Sequence, residues 1–234
     1  MGLSPRKLVL LLILISSAAC KKEVQKKAEC DLPHEEQTVV SESGEIAENK
    51  SCIIPEKAYE ANLAISYTLR EFDEEQESKM DKALSRLEII INSEEFKSRV
   101  LNHEFEGEKS FKRNNDLSNE EIYEFLLTGA EQLNEIVDQE IDLDLTLYHK
   151  DNGVVGYTYP SGDRIWVNDK FFSKYTLAQV AKNAVHEWTH KMGFKHSAKK
   201  NKTRKYTVPY AIGSIMQELI EKMTPVEETR VAQR

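Results

Sequence analysis

The amino-acid sequence predicts a single α+β domain in which helices come first, short strands follow and a further helix completes the fold. At 234 residues, with 40% hydrophobic and 31% charged residues, the chain is typical of a soluble globular protein. Leu84, Leu87 and Ile90 recur at helical spacing, whereas Asp142–Tyr148 alternates polar and apolar residues with period two. We therefore expect a domain at 56–234, divided into a helical half (56–135) and a second half (140–234) that carries the candidate site.

The N-terminal residues 1–19 are typical of a secretory signal peptide. Arg6 and Lys7 precede an apolar run, Leu8–Ile15, that is too short to span a bilayer. The small residues that follow stand directly before Cys20, as in a bacterial lipoprotein signal in which this cysteine becomes the lipidated N-terminus. Ser17 stands where such signals usually have an aliphatic residue, so ordinary cleavage after Ala19 is the alternative. We expect an extracytoplasmic protein, anchored to a bacterial membrane through Cys20 or, without acylation, secreted.

Residues 20–55 are polar and lack periodicity, which predicts a flexible, lipid-anchored tether. In an oxidising compartment its two cysteines, Cys30 and Cys52, would form a disulfide. An alternative is that Cys30, which precedes Asp31 and Pro33, is a latency cysteine that blocks the metal, but this would leave Cys52 unpaired.

The segment Glu56–His103 is predicted to be helical, with a break at Asn92-Ser93. The acidic patch Glu71–Glu77 either separates two helices or forms a solvated face. Ser118, followed three residues later by Glu121, forms a capping box that opens a helix through Leu133.

Three strands are predicted in the second half: Asp142–Tyr148, Val154–Tyr159 and Arg164–Asn168. Turn sequences at 151–153 and 160–163 separate them, so the strands would form a short β-meander. The segment Leu177–Met192 then predicts a helix.

The charge of the chain limits its partners. The formal net charge is −8, and loss of Arg6 and Lys7 with the signal would make it −10, so we expect no nucleic-acid partner. We also expect a monomer. The acid-free segment 188–217 forms either a solvated loop or a rim that attracts an acidic substrate or an anionic envelope surface; its basic residues are Lys191, Lys195, Lys199, Lys200, Lys202, Arg204 and Lys205.

The strongest functional signal is the pattern H-E-x-x-H-x-x-G-x-x-H. His186 and His190 are four residues apart, so on a helix both imidazoles lie on one face and can reach one ion. Gly193 can adopt the left-handed conformation that ends a helix, and the resulting bend would bring His196 to the same ion. Glu187 is adjacent to the first ligand, where it can hold a water molecule without binding the metal.

Three protein ligands and an open fourth position are typical of catalytic zinc, whereas structural zinc is closed by four ligands that usually include cysteine. No cysteine is available near the histidines to close this site. The pattern therefore predicts one catalytic Zn²⁺ ion, with Glu187 as general base and then general acid.

The motif resembles that of the metzincin metallopeptidases, and Ser197 directly after the third histidine is similar to the matrixin branch. The resemblance covers about 142–216 and implies a small catalytic domain in which an edge strand before the zinc helix binds extended substrate. Here that strand would include Gly156, Tyr157, Thr158 and Tyr159. The helical half does not resemble the usual metzincin N-terminal sheet.

The resemblance also implies a methionine in a tight turn beneath the metal, and Met216 in the segment 213–216 is the matching residue. The alternative is that Met216 packs in a C-terminal helix that runs to Lys222. Several metzincins have a tyrosine just after this methionine that stabilises the transition state. Gln217 and Glu218 occupy that place here, so Tyr210 is either its substitute or a packing residue.

The sequence thus predicts a zinc-dependent endopeptidase that hydrolyses extended polypeptides at the cell envelope. Two alternatives stay open: a non-catalytic zinc-binding envelope lipoprotein that acts as a binding or scaffold module, and a zinc amidase that acts on cell-wall peptides. Glu187 argues against the first, because binding alone needs only the histidines.

Overall fold

A computed structural model describes Cys30, Leu32 and the segments 52–133, 136–159 and 161–223. Six α-helices and four β-strands are found in this part of the chain, so the protein has an α+β fold. The predicted signal peptide and Cys20 lie outside the described residues. Within them, no helix is both long enough and apolar enough to cross a membrane.

The helical half begins with a strand that the sequence did not predict. Strand β1 (Ala64–Arg70) lies within the segment predicted to be all helix, and the acidic patch after it opens helix α1 (Glu74–Ile91). Ile65, Tyr67 and Leu69 alternate with polar residues, which is the strand signal that was missed. Five of its seven residues are exposed and none is fully buried, so little burial accompanies the alternation.

Two further helices complete this half, α2 (Glu94–Leu101) and α3 (Asn119–Thr128). The capping box predicted at Ser118 is present: the Glu121 backbone N–H donates to the Ser118 hydroxyl, and the Ser118 N–H donates to the Glu121 carboxylate. The helix does not reach Leu133, because Gly129 adopts a left-handed conformation with φ +74° and ends it.

The remaining elements follow in chain order. They are β2 (Glu140–Tyr148), β3 (Gly156–Thr158), β4 (Arg164–Asn168), α4 (Asp169–Phe172), α5 (Leu177–Lys191), a 3₁₀ turn (Arg204–Tyr206) and α6 (Val208–Met223). The bounds of α5 differ from the predicted helix by one residue at its C-terminal end.

The four strands form one mixed sheet in the order β1-β2-β4-β3. β2 pairs in parallel with both β1 and β4, and only β3 runs antiparallel to its neighbour. The predicted β-meander is therefore wrong, because β4 lies between β2 and β3. Ile165 and Val167 of β4 are buried, whereas all of β3 is only half-buried, so the more apolar strand occupies the inner position.

Helices α1, α5 and α6 pack against one another. In addition, α1 contacts strand β1, and α5 contacts strand β3. Most side chains at these contacts are fully buried and apolar, including Leu84, Leu87, Val185, Trp188, Ile212 and Leu219. The sheet and these three helices thus enclose one continuous hydrophobic core that extends from β1 to α6.

Part of the predicted tether belongs to this core. Cys30 and Cys52 form a disulfide, which confirms the predicted pairing and excludes a free latency cysteine in this state. Both cysteines are buried in the hydrophobic core, and the Ile53 N–H donates to the carbonyl oxygen of Met223 at the end of α6. The folded unit therefore includes residues that precede the predicted boundary at residue 56.

Candidate metal centre

Helix α5 carries the first two histidines and begins at a capping box. The Gln179 N–H donates to the Thr176 hydroxyl over 3.3 Å, and the Thr176 N–H donates to the Gln179 side chain over 3.0 Å. His186 and His190 lie one turn apart on this helix, and their ring centroids are 4.9 Å apart. The predicted placement of both rings on one face is confirmed.

A sharp bend after α5 brings the third histidine back. Gly193 has φ +98°, as its left-handed role requires, and its N–H donates to the His190 carbonyl oxygen over 3.0 Å. The next residue, Phe194, is fully buried and packs edge-on against Phe125, which holds the bend in place. The His196 ring centroid then lies 5.1 Å from that of His186 and 4.7 Å from that of His190.

The three imidazoles can share one ion. One ring nitrogen from each of His186, His190 and His196 lies within 4.8 Å of the others, and the described residues add no fourth histidine, cysteine or carboxylate to this group. The Nε2 atoms of His186 and His196 are 3.2 Å apart. Two nitrogens bound tetrahedrally at about 2.0–2.1 Å would be separated by about 3.3 Å. These residues therefore form a candidate metal centre.

Backbone carbonyl groups orient the rings. His190 Nδ1 lies 2.7 Å from the Phe194 carbonyl oxygen, and His196 Nδ1 lies 3.1 Å from that of Ser197. A carbonyl can only accept, so Nδ1 carries the proton and the Nε2 lone pair is available to a metal. His186 hydrogen-bonds the backbone of Pro209, which has no N–H and accepts through its carbonyl oxygen.

The electrostatic environment keeps the histidines neutral. Burial is the main cause that lowers the pKa of each ring: far below its ordinary value in His186, more moderately in His190, and to about 4 in His196. Neutral imidazole is the form that binds a metal.

Glu187 lines the same cleft as the three histidines and is 5% exposed. Burial raises the pKa of its carboxyl group to about 8. A cation held by the histidines would act in the opposite direction and favour the carboxylate. The arrangement thus combines a cation site with a buried proton acceptor.

The cleft around these residues has a volume of about 660 Å³. Residues 153–158, which include strand β3, line it, together with Asn183, Ala198, Lys200 and Arg204. β3 lies at the edge of the sheet, as predicted for the substrate strand. Tyr159, the last residue of that predicted strand, lies beyond β3, is 61% exposed and is absent from the cleft lining.

Two of the predicted site residues, Tyr210 and Met216, lie in α6, and the predictions for them have different outcomes. Tyr210 lies in the first turn of α6 and lines the cleft, with its ring centroid 4.6 Å from that of His186 and 4.8 Å from that of His196. Met216 lies in the middle of α6 and is fully buried. The predicted methionine turn is therefore wrong, and the alternative of a packed C-terminal helix is confirmed.

Two residues near the cleft were not predicted. Asn168 is fully buried, and its Nδ2 donates to the carbonyl oxygens of Lys150 and Val154, which fixes the chain before β3. Arg204 was noted only as part of the basic segment, yet its guanidinium carbon lies 4.5 Å from the ring centroid of Tyr210. Local sequence gives no signal for either role, because each depends on contacts with distant segments.

Comparisons of the chain with protein-family models and with curated proteins find no match. The functional interpretation therefore rests on the geometry and chemistry of the site.

Proposed function

We propose that the protein is a zinc-dependent endopeptidase that hydrolyses extended polypeptides. The observation that carries this proposal is the convergence of His186, His190 and His196 beside the buried Glu187 within one open cleft. Three imidazole nitrogens without a thiolate or a fourth ligand suit a catalytic zinc ion better than a structural one.

A zinc ion bound there would polarise the substrate carbonyl group and lower the pKa of a water molecule from about 15.7 towards about 7. Glu187 accepts a proton from the attacking water at its carboxylate and then donates it to the leaving nitrogen. The Tyr210 phenol lies beside His186 and His196 and is the donor available to the developing oxyanion.

The position of β3 supports an extended substrate. Among the described residues this strand pairs with β4 alone, so its outer edge offers backbone N–H and C=O groups to a peptide. The cleft follows residues 153–158 and reaches Glu187, so a peptide paired with β3 would pass the proton acceptor.

We further propose that the protein is exported and anchored through a lipid on Cys20. The disulfide between Cys30 and Cys52 supports export, since disulfides persist in oxidising compartments. Intact mass measurement of the mature protein tests the anchor, and a Cys20 without acyl chains would contradict it.

The catalytic proposal is tested with the purified, zinc-loaded protein and a mixture of denatured polypeptides, with cleavage sites read by mass spectrometry. We expect Glu187→Gln to retain zinc and to reduce cleavage roughly 10²–10⁴-fold, because it removes the proton acceptor and keeps the ligands. His190→Ala should lose both zinc and cleavage.

Two exposed residues give matched controls, Glu120→Gln on α3 and His149→Ala after β2, and both should retain zinc and activity. Full activity in Glu187→Gln would refute the catalytic assignment. Stoichiometric zinc binding by the wild type without cleavage of any peptide would favour the binding module. Cleavage of cell-wall peptides alone would favour the amidase.

A further inference from the structure

Arg204 places a cation close to the candidate metal centre. It lies in the 3₁₀ turn just before α6, and its side chain lines the cleft. Its guanidinium carbon is 4.5 Å from the ring centroid of Tyr210, and that ring contacts both His186 and His196. This cation–π contact involves the charge of the guanidinium and does not use its N–H groups as donors to an acceptor atom.

Among the described residues, no hydrogen-bond acceptor pairs with the Arg204 side chain. The Nε atom of Arg204 is buried without a hydrogen-bond partner, and no carboxylate among the described residues pairs with this guanidinium. Arg70 and Arg99, in contrast, pair with Asp144 and Glu218. The Nε atom is closed to solvent, so a ligand would pair with the terminal N–H groups of the guanidinium, where a charge-assisted hydrogen bond to an anion is stronger than a neutral one.

The charge of the cleft favours an anionic ligand. Its lining includes Lys182 and Lys200 as well as Arg204, and Glu187 is the one acidic residue in that lining. Lys182 donates to the amide oxygen of Gln217 over 2.9 Å. Because the amide is neutral, this contact does not neutralise the positive charge of Lys182. The exposed Lys200 adds positive charge to the same cleft.

We propose that Arg204 recognises a carboxylate group of the substrate beside the scissile bond. A carboxylate can accept two parallel hydrogen bonds from the guanidinium edge, and the contact with Tyr210 holds the guanidinium in the cleft. The carboxylate belongs either to an acidic side chain next to the scissile bond or to the C-terminus of a short peptide. This inference rests on the proposed peptidase function and specifies its substrate class.

The test uses peptides that the zinc-loaded wild-type protein cleaves. Each is compared with variants in which aspartate or glutamate near the scissile bond is replaced by asparagine or glutamine, and with forms whose C-terminus is amidated. We expect the preferred acid to exceed its amide by about 10- to 100-fold in kcat/KM, mainly through KM. If kcat/KM falls when the side-chain acid is replaced by its amide, the carboxylate is that of a side chain. If it falls when the C-terminus is amidated, the carboxylate is that of the C-terminus.

Arg204→Gln should abolish this preference, and Arg204→Lys should retain only part of it, because lysine cannot form the paired contact. Lys205→Gln is the matched control, since this neighbour is exposed and outside the cleft lining. Zinc content and thermal unfolding verify that each variant is folded. Equal acid preference in wild type and Arg204→Gln, or an equal loss in Lys205→Gln, would overturn the inference.

Binding of acid and amide peptide pairs, chosen without regard to cleavage, is measured by calorimetry with Glu187→Gln and with the double variant Glu187→Gln/Arg204→Gln, and separates this inference from the proposed function. Selective binding of the acid that requires Arg204, together with an absence of hydrolysis by the wild type, would refute the peptidase and retain the recognition site. Hydrolysis without acid preference, together with equal binding of acid and amide, would refute the role of Arg204 and retain the peptidase.

Discussion

Glu131 is a buried carboxyl group that fixes a residue of α5, the helix that carries His186 and His190. Its Oε1 accepts a hydrogen bond of 2.7 Å from the indole Nε1 of Trp188, which lies between His186 and His190 and is fully buried. Burial raises the pKa of Glu131 to about 7, against the opposing effects of this hydrogen bond and of the Lys191 charge. Asp142 is the acidic group that faces it and adds to the increase.

This raised pKa predicts a pH-dependent contribution to stability. Glu131 binds its proton more tightly in the folded protein than in the unfolded chain, where its pKa is near 4.5. Its contribution is therefore fully present below about pH 4.5 and is lost as the pH rises through about 7, by at most about 3 kcal/mol.

Denaturant unfolding between pH 4.5 and 8 should show a larger loss of stability in the wild type than in Glu131→Gln, because Glu187, whose pKa burial also raises, contributes the same loss to both proteins. The difference between the two proteins isolates Glu131 from the histidines, whose lowered pKa values act in the opposite direction. Parallel stability curves for the two proteins would contradict the prediction.

At the residue scale, the metal centre could be predicted because its ligands are local. All three histidines and Gly193 lie within the eleven positions from His186 to His196. Helix geometry with one left-handed residue is therefore enough to bring the rings together. The role of Arg204 could not be predicted, because it depends on Tyr210 and on a cleft formed by distant segments.

At the scale of elements, α5 and α6 pack closely at Gly213. A Cβ atom added there would lie 3.1 Å from the carbonyl oxygen of Lys182, 3.2 Å from the Cγ atom of Lys182 and 3.7 Å from the Cβ atom of His186. The absence of a side chain thus lets α6 approach the helix that carries the first ligand, and α6 in turn places Tyr210 against the histidines.

Gly213→Leu should separate the two helices and displace His186 from its partners. We expect a reduction in zinc affinity of about 10- to 100-fold, the range seen when groups that orient metal ligands are lost. Competition with a coloured chelator measures this affinity. Gly162→Leu is the control, because a Cβ atom there meets nothing within 4 Å. Unchanged affinity in Gly213→Leu would show that the contact does not position His186.

The elements that could be predicted are those whose ends are marked by local chemistry. The predicted capping box at Ser118 begins α3, the helix-forming segment from Leu177 corresponds to α5, and the strand signals in β2 and β4 agree with the structure. The order of the strands could not be predicted, since parallel pairing of β2 with both β1 and β4 depends on burial across the whole sheet.

For the whole molecule, the disulfide joins an N-terminal segment to the core. Cys30 and Cys52 are 22 positions apart, Arg86 donates to the carbonyl oxygen of Cys30, and the N–H of Ile53 contacts the end of α6. The disulfide closes a loop and so reduces the conformational entropy of the unfolded chain. For a loop of this length, the folded state is stabilised by about 3 kcal/mol.

Replacement of both cysteines by serine should therefore lower the free energy of unfolding by about that amount and the melting temperature with it. Zinc affinity should be retained, because neither cysteine belongs to the histidine group. Thermal unfolding and zinc titration of the double variant measure the two quantities. A matching loss of zinc affinity would show that the N-terminal segment shapes the metal centre.

The parallel pairing of β1 with β2 has a consequence for synthesis of the chain. β1 ends at Arg70, and its partner begins at Glu140, so a nascent chain carries an unpaired strand while the whole helical half is being made. Unpaired strand edges invite association with other chains. Helix α5, which carries His186 and His190, emerges later still and packs against α1, which is already present. The candidate metal centre thus forms late, on a scaffold that must be protected until its second half arrives.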